Sequence, residues 1–118
     1  MPYVDGFVVV VPKKKLRAYV ALAKKAAKVW REHGALAYHE CVGDDLEVHH
    51  GLSFPKLVKA KKDDLIVFAW ILYRSKKHRA VVNEKALSDP RLLPMLKKPM
   101  PFDMKRMSHG GFASLVSL

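Results

Sequence analysis

Glu40 and Trp70 are the side chains in this sequence best suited to a cleft that binds or transforms a small molecule. They lie in the central parts of two apolar stretches, residues 35–42 and 65–73, which read as consecutive strands expected to pair. Paired that way, a carboxylate and an indole line one surface. A glutamate in an apolar pocket holds its proton more tightly than in water and suits proton transfer. The same glutamate at a wet strand edge, or paired with Arg or Lys, does no chemistry. Asp103 and Arg106, three apart near the C-terminus, offer a clamp for a polar ligand group; their ordinary alternative is a turn-stabilising Asp beside a surface Arg.

Other reactive types are weaker candidates. Cys41 and His39 share one face of their strand and Glu40 occupies the other, so the three do not form one cluster; Cys41 reads as a buried structural thiol. His49 and His50 are adjacent and point apart on an extended segment, with no third or fourth ligand at a recognisable spacing, so no metal is expected. The "HGG" at 109–111 fits neither a phosphate-binding loop nor a dinucleotide fingerprint, and no cofactor is expected.

The elements that position these residues follow from periodicity. "YVDGFVVVV" (3–11) is a β-branched strand stopped by Pro12. From Lys13 to His33 a stripe of helical period runs through Leu16, Tyr19, Val20, Ala23, Ala26, Ala27 and Trp30, and Gly34 supplies the C-cap. Strand 35–42 ends at the "GDD" turn. Residues 47–62, with Pro55 and several lysines, read as a surface excursion. "LIVFAWILY" (65–73) is the clearest strand. Ser75 N-caps a helix to about Ser88, and a last strand runs from about Met104 to Val116.

The order strand, helix, strand, strand, helix, strand is the split βαβ arrangement of α+β ferredoxin-like domains: a four-stranded antiparallel sheet with two helices on one face. Strand 65–73 is apolar on both parities, and so is strand 3–11. A sheet with one wet face would alternate. The second face therefore calls for cover, and a second copy of the chain across a two-fold axis supplies it as a homodimer.

Between helix and last strand lies "DPRLLPMLKKPMPFDMKRMSHGGF". Its leucines, methionines and Phe102 are too apolar for a solvated loop, while prolines 94, 99 and 101 stiffen it. It reads as an arm forming the wall of a pocket, with Phe102 as plug and Asp103 and Arg106 at the rim, or as a seal over the core or the dimer seam. Gly110 and Gly111 permit a bulge or a close approach.

The 118 residues suit one domain, 1–118. No apolar run approaches the roughly 18–20 residues of a membrane span, and a lone cysteine without a secretory leader suits the cytoplasm. A net charge of +11 suggests an anionic partner. Lys24, Lys28, Arg31, Lys76, Lys77 and Arg79 fall on the helical layer, and strand 65–73 has aromatics but lacks the glycine and basic residue of the RNA-recognition motif. Any nucleic-acid binding is expected to be weak and non-specific.

"YVDGFVVVVP", "ECVGDD", "FPKLVKAKKDD" with "VFAWI", "SDPR" and above all "PMPFDMKRMSHGGF" resemble the YbaA-like family of small bacterial proteins of unknown function, over about Tyr3 to Phe112. That family is similar to the dimeric α+β barrel superfamily, which includes cofactor-independent monooxygenases, haem-degrading enzymes, isomerases and proteins of no known reaction. The resemblance implies fold and dimer. Two functions remain open: a protein with a small-molecule pocket, as a cofactor-independent oxygenase or isomerase, and a non-catalytic binding or interaction module using the basic helical face.

Overall fold

The computed structural model describes residues 1–118. Strand β1 (Tyr3–Pro12) ends where proline fixes the backbone, and a 3-10 turn (Lys13–Lys15) leads into helix α1 (Leu16–Glu32). Tyr19 and Val29 are the buried residues of α1; Val20, expected in its stripe, stays 40% exposed. Gly34 follows the helix at φ +119°, the left-handed conformation that glycine adopts without penalty.

Strands β2 (Ala37–Val42), β3 (Asp64–Tyr73) and β4 (Ser108–Ala113) complete one sheet of order β2-β3-β1-β4. All neighbours are antiparallel, and β1 pairs with β3 along its whole length, from Tyr3 opposite Tyr73 to Pro12 opposite Asp64. Short helices α2 (Phe54–Leu57) and α4 (Leu93–Leu96) lie in the connections, and α3 (Lys76–Leu87) starts at Ser75, whose hydroxyl accepts from the His78 amide at 3.0 Å. This is the ferredoxin-like βαββαβ fold.

The helix-side face carries the larger core. Val9, Val11 and Val67 pack with Tyr19, while Ile71 and Tyr73 pack with Ala35 and Val82. The molecule is only 20 Å thick, the depth of one sheet and one helical layer. The opposite face is covered at one end alone. There the 47–62 excursion folds back and buries Val58 against Val10 and Ile66. Beyond it Phe68 and Phe112 remain 47% and 62% exposed.

Strand β4 is shorter than the expected 104–116. Residues Met104–Arg106 instead form a 3-10 turn, because Asp103 accepts from the Lys105 amide at 2.9 Å and Arg106 folds back onto Asp103. Gly110 and Gly111 pair regularly with Gly6 and Asp5, without a bulge. Gly111 has a packing reason: a Cβ there would lie 2.6 Å from the Tyr3 hydroxyl oxygen.

Candidate functional site

Alternation along β2 puts Tyr38 and Glu40 on the helix side of the sheet. Glu40 stands opposite Ala69, whose small side chain leaves space above the strand. Into that space α1 projects Tyr19. The Tyr19 hydroxyl donates to Glu40 Oε1, and the Tyr38 hydroxyl donates to Oε2 at 2.8 Å. Burial raises both phenols well above the usual tyrosine range, and the adjacent carboxylate raises them further. Each phenol thus stays protonated and able to donate. Glu40 is only half-buried and has a strong donor on each oxygen.

A second polar network lies in the same layer towards α3. Asp5, 5% exposed, takes Arg79 Nε at 3.0 and 3.1 Å and Nη2 at 2.6 Å. Beside it the Tyr73 hydroxyl and Trp30 Nε1 both donate to Asn83 Oδ1, at 3.0 and 2.9 Å. Burial, with Asp5 nearby, lifts the Tyr73 phenol as well. Arg79 is therefore a structural ion-pair partner and not part of a free basic helical face.

The register separates Glu40 from Trp70, correcting the expectation that they share a surface. Glu40 is level with Ala69, so Trp70 points to the opposite side, where its indole stacks on His39 with ring centroids 4.4 Å apart. Cys41 corrects a second expectation: its thiol is exposed, since its parity of edge strand β2 faces the uncovered side of the sheet. His49 and His50 are exposed, and no group of three or more His, Cys, Asp or Glu side chains comes together.

Phe102 packs against the Val9, Val11 and Val67 cluster, its ring edge-on to Tyr19 at 5.8 Å. Asp103 and Arg106 do come together. Arg106 Nε donates to Asp103 Oδ2 at 2.8 Å, while its Nη1 reaches Asp64 Oδ2 at 2.8 Å and the Lys59 carbonyl at 3.0 Å. Its donors tie the arm to the β3 entry. These bonds hold the Asp103 carboxyl below its usual range, with the Arg106 bond as the main cause; at Asp64 the Lys61 amide contributes most, Arg106 next among the stabilising contacts.

The arm does wall a groove, of about 400 Å³, open to solvent along α1. Ala18 and Leu22 form its helical side, and the arm contributes Met95 and Met100, the latter between Pro99 and Pro101 in the chain. Lys15 and Lys98 are its charged residues. Phe102, Asp103 and Arg106, expected as its plug and polar rim, are not among its lining residues: Phe102 is packed into the core against Tyr19, and Arg106 is taken up by Asp103 and Asp64.

The two partners of Glu40 differ in how far the sequence announces them. Tyr19 reads as one more apolar residue of the α1 stripe, although a tyrosine there must also place its hydroxyl. Tyr38 carries a readable signal, because residues two apart on a strand share a face. Asp5 carries one too: a lone carboxylate among Phe7, Val9 and Val11 on the inward parity of β1 needs a cation.

Comparison with known proteins agrees with this architecture. The chain is 46% identical over 116 residues to the "Uncharacterized protein YbaA" of Escherichia coli K12, covering 98% of each chain, and equally so to that of Shigella flexneri. Among solved structures it resembles a mutant of SnoaB, a cofactor-independent oxygenase from Streptomyces nogalater, at TM-score 0.64 and 14% identity over 99% of this chain and 96% of the other. It also resembles a dimeric ferredoxin-like protein from an uncultured marine organism, at TM-score 0.56 and 10% identity over 100% of both chains. At such identities these structures speak for the fold alone. Residues 2–104 match the family described as "Protein of unknown function (DUF1428)", and the chain belongs to that family.

Proposed function

We propose that the protein is a homodimeric α+β barrel that holds a small, largely apolar acid in the groove between α1 and the 92–103 arm. The observation that carries this reading is the lining: Ala18, Leu22, Met95 and Met100 supply apolar contact, and Lys15 and Lys98 supply positive charge for an acidic group. Its volume of about 400 Å³ is that of a small-ligand site. The arm is stiffened by proline and tied at one end by Arg106, so little order has to be created on binding.

Glu40 and Tyr19 are the groups nearest to chemistry in this reading. Neither residue lines the groove, and Phe102 packs edge-on to Tyr19; in this reading Phe102 swings aside and Glu40, held by two phenols, takes a proton from the carbon next to the ligand's acid group when one phenol turns to the ligand. Such proton transfer is what a cofactor-independent oxygenase or isomerase requires. The second reading is a carrier or sensor without catalysis; it is favoured by the groove's open side and by the occupation of both Glu40 oxygens. Self-association is supported by the apolar open face around Phe68 and Phe112, and by the likeness in fold to a ferredoxin-like protein that is itself dimeric.

The test is a panel of aromatic and medium-chain carboxylic acids scored by thermal shift. Stabilisation by a subset, abolished in Leu22→Glu, is expected. Equal shifts in Leu22→Glu, or none with any acid, would remove the groove from consideration.

A further inference from the structure

All six ion pairs of the protein use Arg79, Arg91, Arg106 or His33; none uses a lysine. The arginines build structure and the lysine ammonium groups are left to solvent. Seven of the sixteen lie along the α-helices, but four others converge. Lys13 and Lys14 from the turn after β1, and Lys61 and Lys62 from the turn before β3, line a concavity of about 620 Å³ with no hydrophobic residue in it. It lies apart from the α1 and arm groove, shares no residue with it, and rests on different observations.

The two turns are held firmly although their side chains are free. The Lys13 amide donates to the Asp63 carbonyl at 2.8 Å, the Asp64 amide to the Lys61 carbonyl at 3.0 Å, and the Lys61 amide to Asp64 Oδ2 at 2.8 Å. Of the two carboxylates in the concavity, Asp64 is already engaged by Arg106. Four lysines against Asp63 and Asp64 leave two positive charges in excess before Arg106 is added. Like charges gathered in a concave site repel one another, and a multiply charged anion relieves that repulsion.

We infer that this concavity is a binding site for a small phosphate-bearing ligand of at least two negative charges, such as a diphosphate or a phosphate monoester. A single carboxylate would leave half the excess charge uncompensated. The absence of aromatic or aliphatic lining means that the phosphate groups, and not an attached base or chain, are what the site recognises. The size matches a small molecule rather than an extended strand.

The experiment is calorimetric titration of the full chain with inorganic diphosphate at low ionic strength. One saturable site per chain is expected, weakened about tenfold or more in Lys14→Ala/Lys62→Ala and weakened strongly by ~0.2 M salt. Lys25→Ala/Lys85→Ala removes the same charge from exposed helical surface and is expected to bind as the parent does. All four positions are exposed, and circular dichroism verifies that both variants fold. Equal weakening in the two double variants would show a bulk charge effect and overturn the site. So would failure to saturate by ~10 mM diphosphate, or an oligonucleotide complex that diphosphate does not displace.

Discussion

The hydroxyl of Tyr19, from α1, donates to the carboxylate of Glu40, from β2, across the sheet and helix layer. With Tyr38 on the other oxygen, Glu40 is the point at which helix and edge strand are joined by polar contact. Hydrogen bonds to a charged group are worth more than neutral ones, so Tyr19→Phe and Tyr38→Phe should each lower stability by about 1–2 kcal/mol. Because both phenols serve one carboxylate, the double variant should depart from additivity. Denaturant unfolding of the three variants checks this; strict additivity would mean that the two bonds are independent.

Tyr19, Tyr38 and Tyr73 are all held above the ordinary phenol range. A folded pKa above the unfolded one gives a contribution fully present below the unfolded value, about 10, and lost as pH rises through the folded value. Stability should therefore fall above pH ~10, and these three phenols should stay silent in the native protein until it unfolds. Absorbance at 295 nm follows them directly. Only Tyr3 is left to titrate, so ionisation of two or more phenols by pH ~10.5 with circular dichroism unchanged would contradict the burial described.

The apolar pattern of β1 and β3 made the sheet legible, because two neighbouring strands apolar on both parities belong in its centre, and they pair there. The second layer of information was not local. Tyr19 and Glu40 are 21 residues apart, and only the packing of α1 over β2 reveals that they meet. The Glu40 and Trp70 relation turned on register, where one residue moves a side chain to the other face. Val58 lay hidden in a lysine-rich stretch, although it caps part of the open face. Asp103 and Arg106 were legible as a pair by spacing; their tie to Asp64, 42 residues from Arg106, was not.

Arg106 links Asp103 on the arm to Asp64 at the start of β3, and both carboxyls sit below their usual range. A lowered folded pKa gives stability present above the ordinary value, about 4, and lost as pH falls through the folded values. The junction of arm and β4 should thus loosen in acid before the central strands do. Amide exchange at pH ~3, corrected for intrinsic rates, should show reduced protection at Arg106 and Met107 relative to β1. Uniform protection would place the acid-sensitive contacts elsewhere.

Phe68, Trp70 and Cys41 lie on the sheet face opposite α1 and α3. If a second copy covers that face, light scattering at micromolar concentration will return a dimer and the Cys41 thiol will label slowly. Phe68→Glu, at a site 47% exposed in one chain, should give a monomer whose Cys41 labels at the rate of a free thiol. A monomeric parent, or fast labelling of a dimeric one, would exclude this face as the seam.

Whether the groove between α1 and the arm holds a molecule is answered most directly by native mass spectrometry of the protein purified from the organism that makes it. The expected spectrum shows a dimer carrying one small adduct per chain, released on denaturation. Adduct occupancy should fall in Leu22→Glu, which places a carboxylate among the groove's apolar residues, and persist in Lys25→Ala/Lys85→Ala. A parent dimer with no adduct, or an adduct retained equally in Leu22→Glu, would contradict the assignment of the groove as the ligand site.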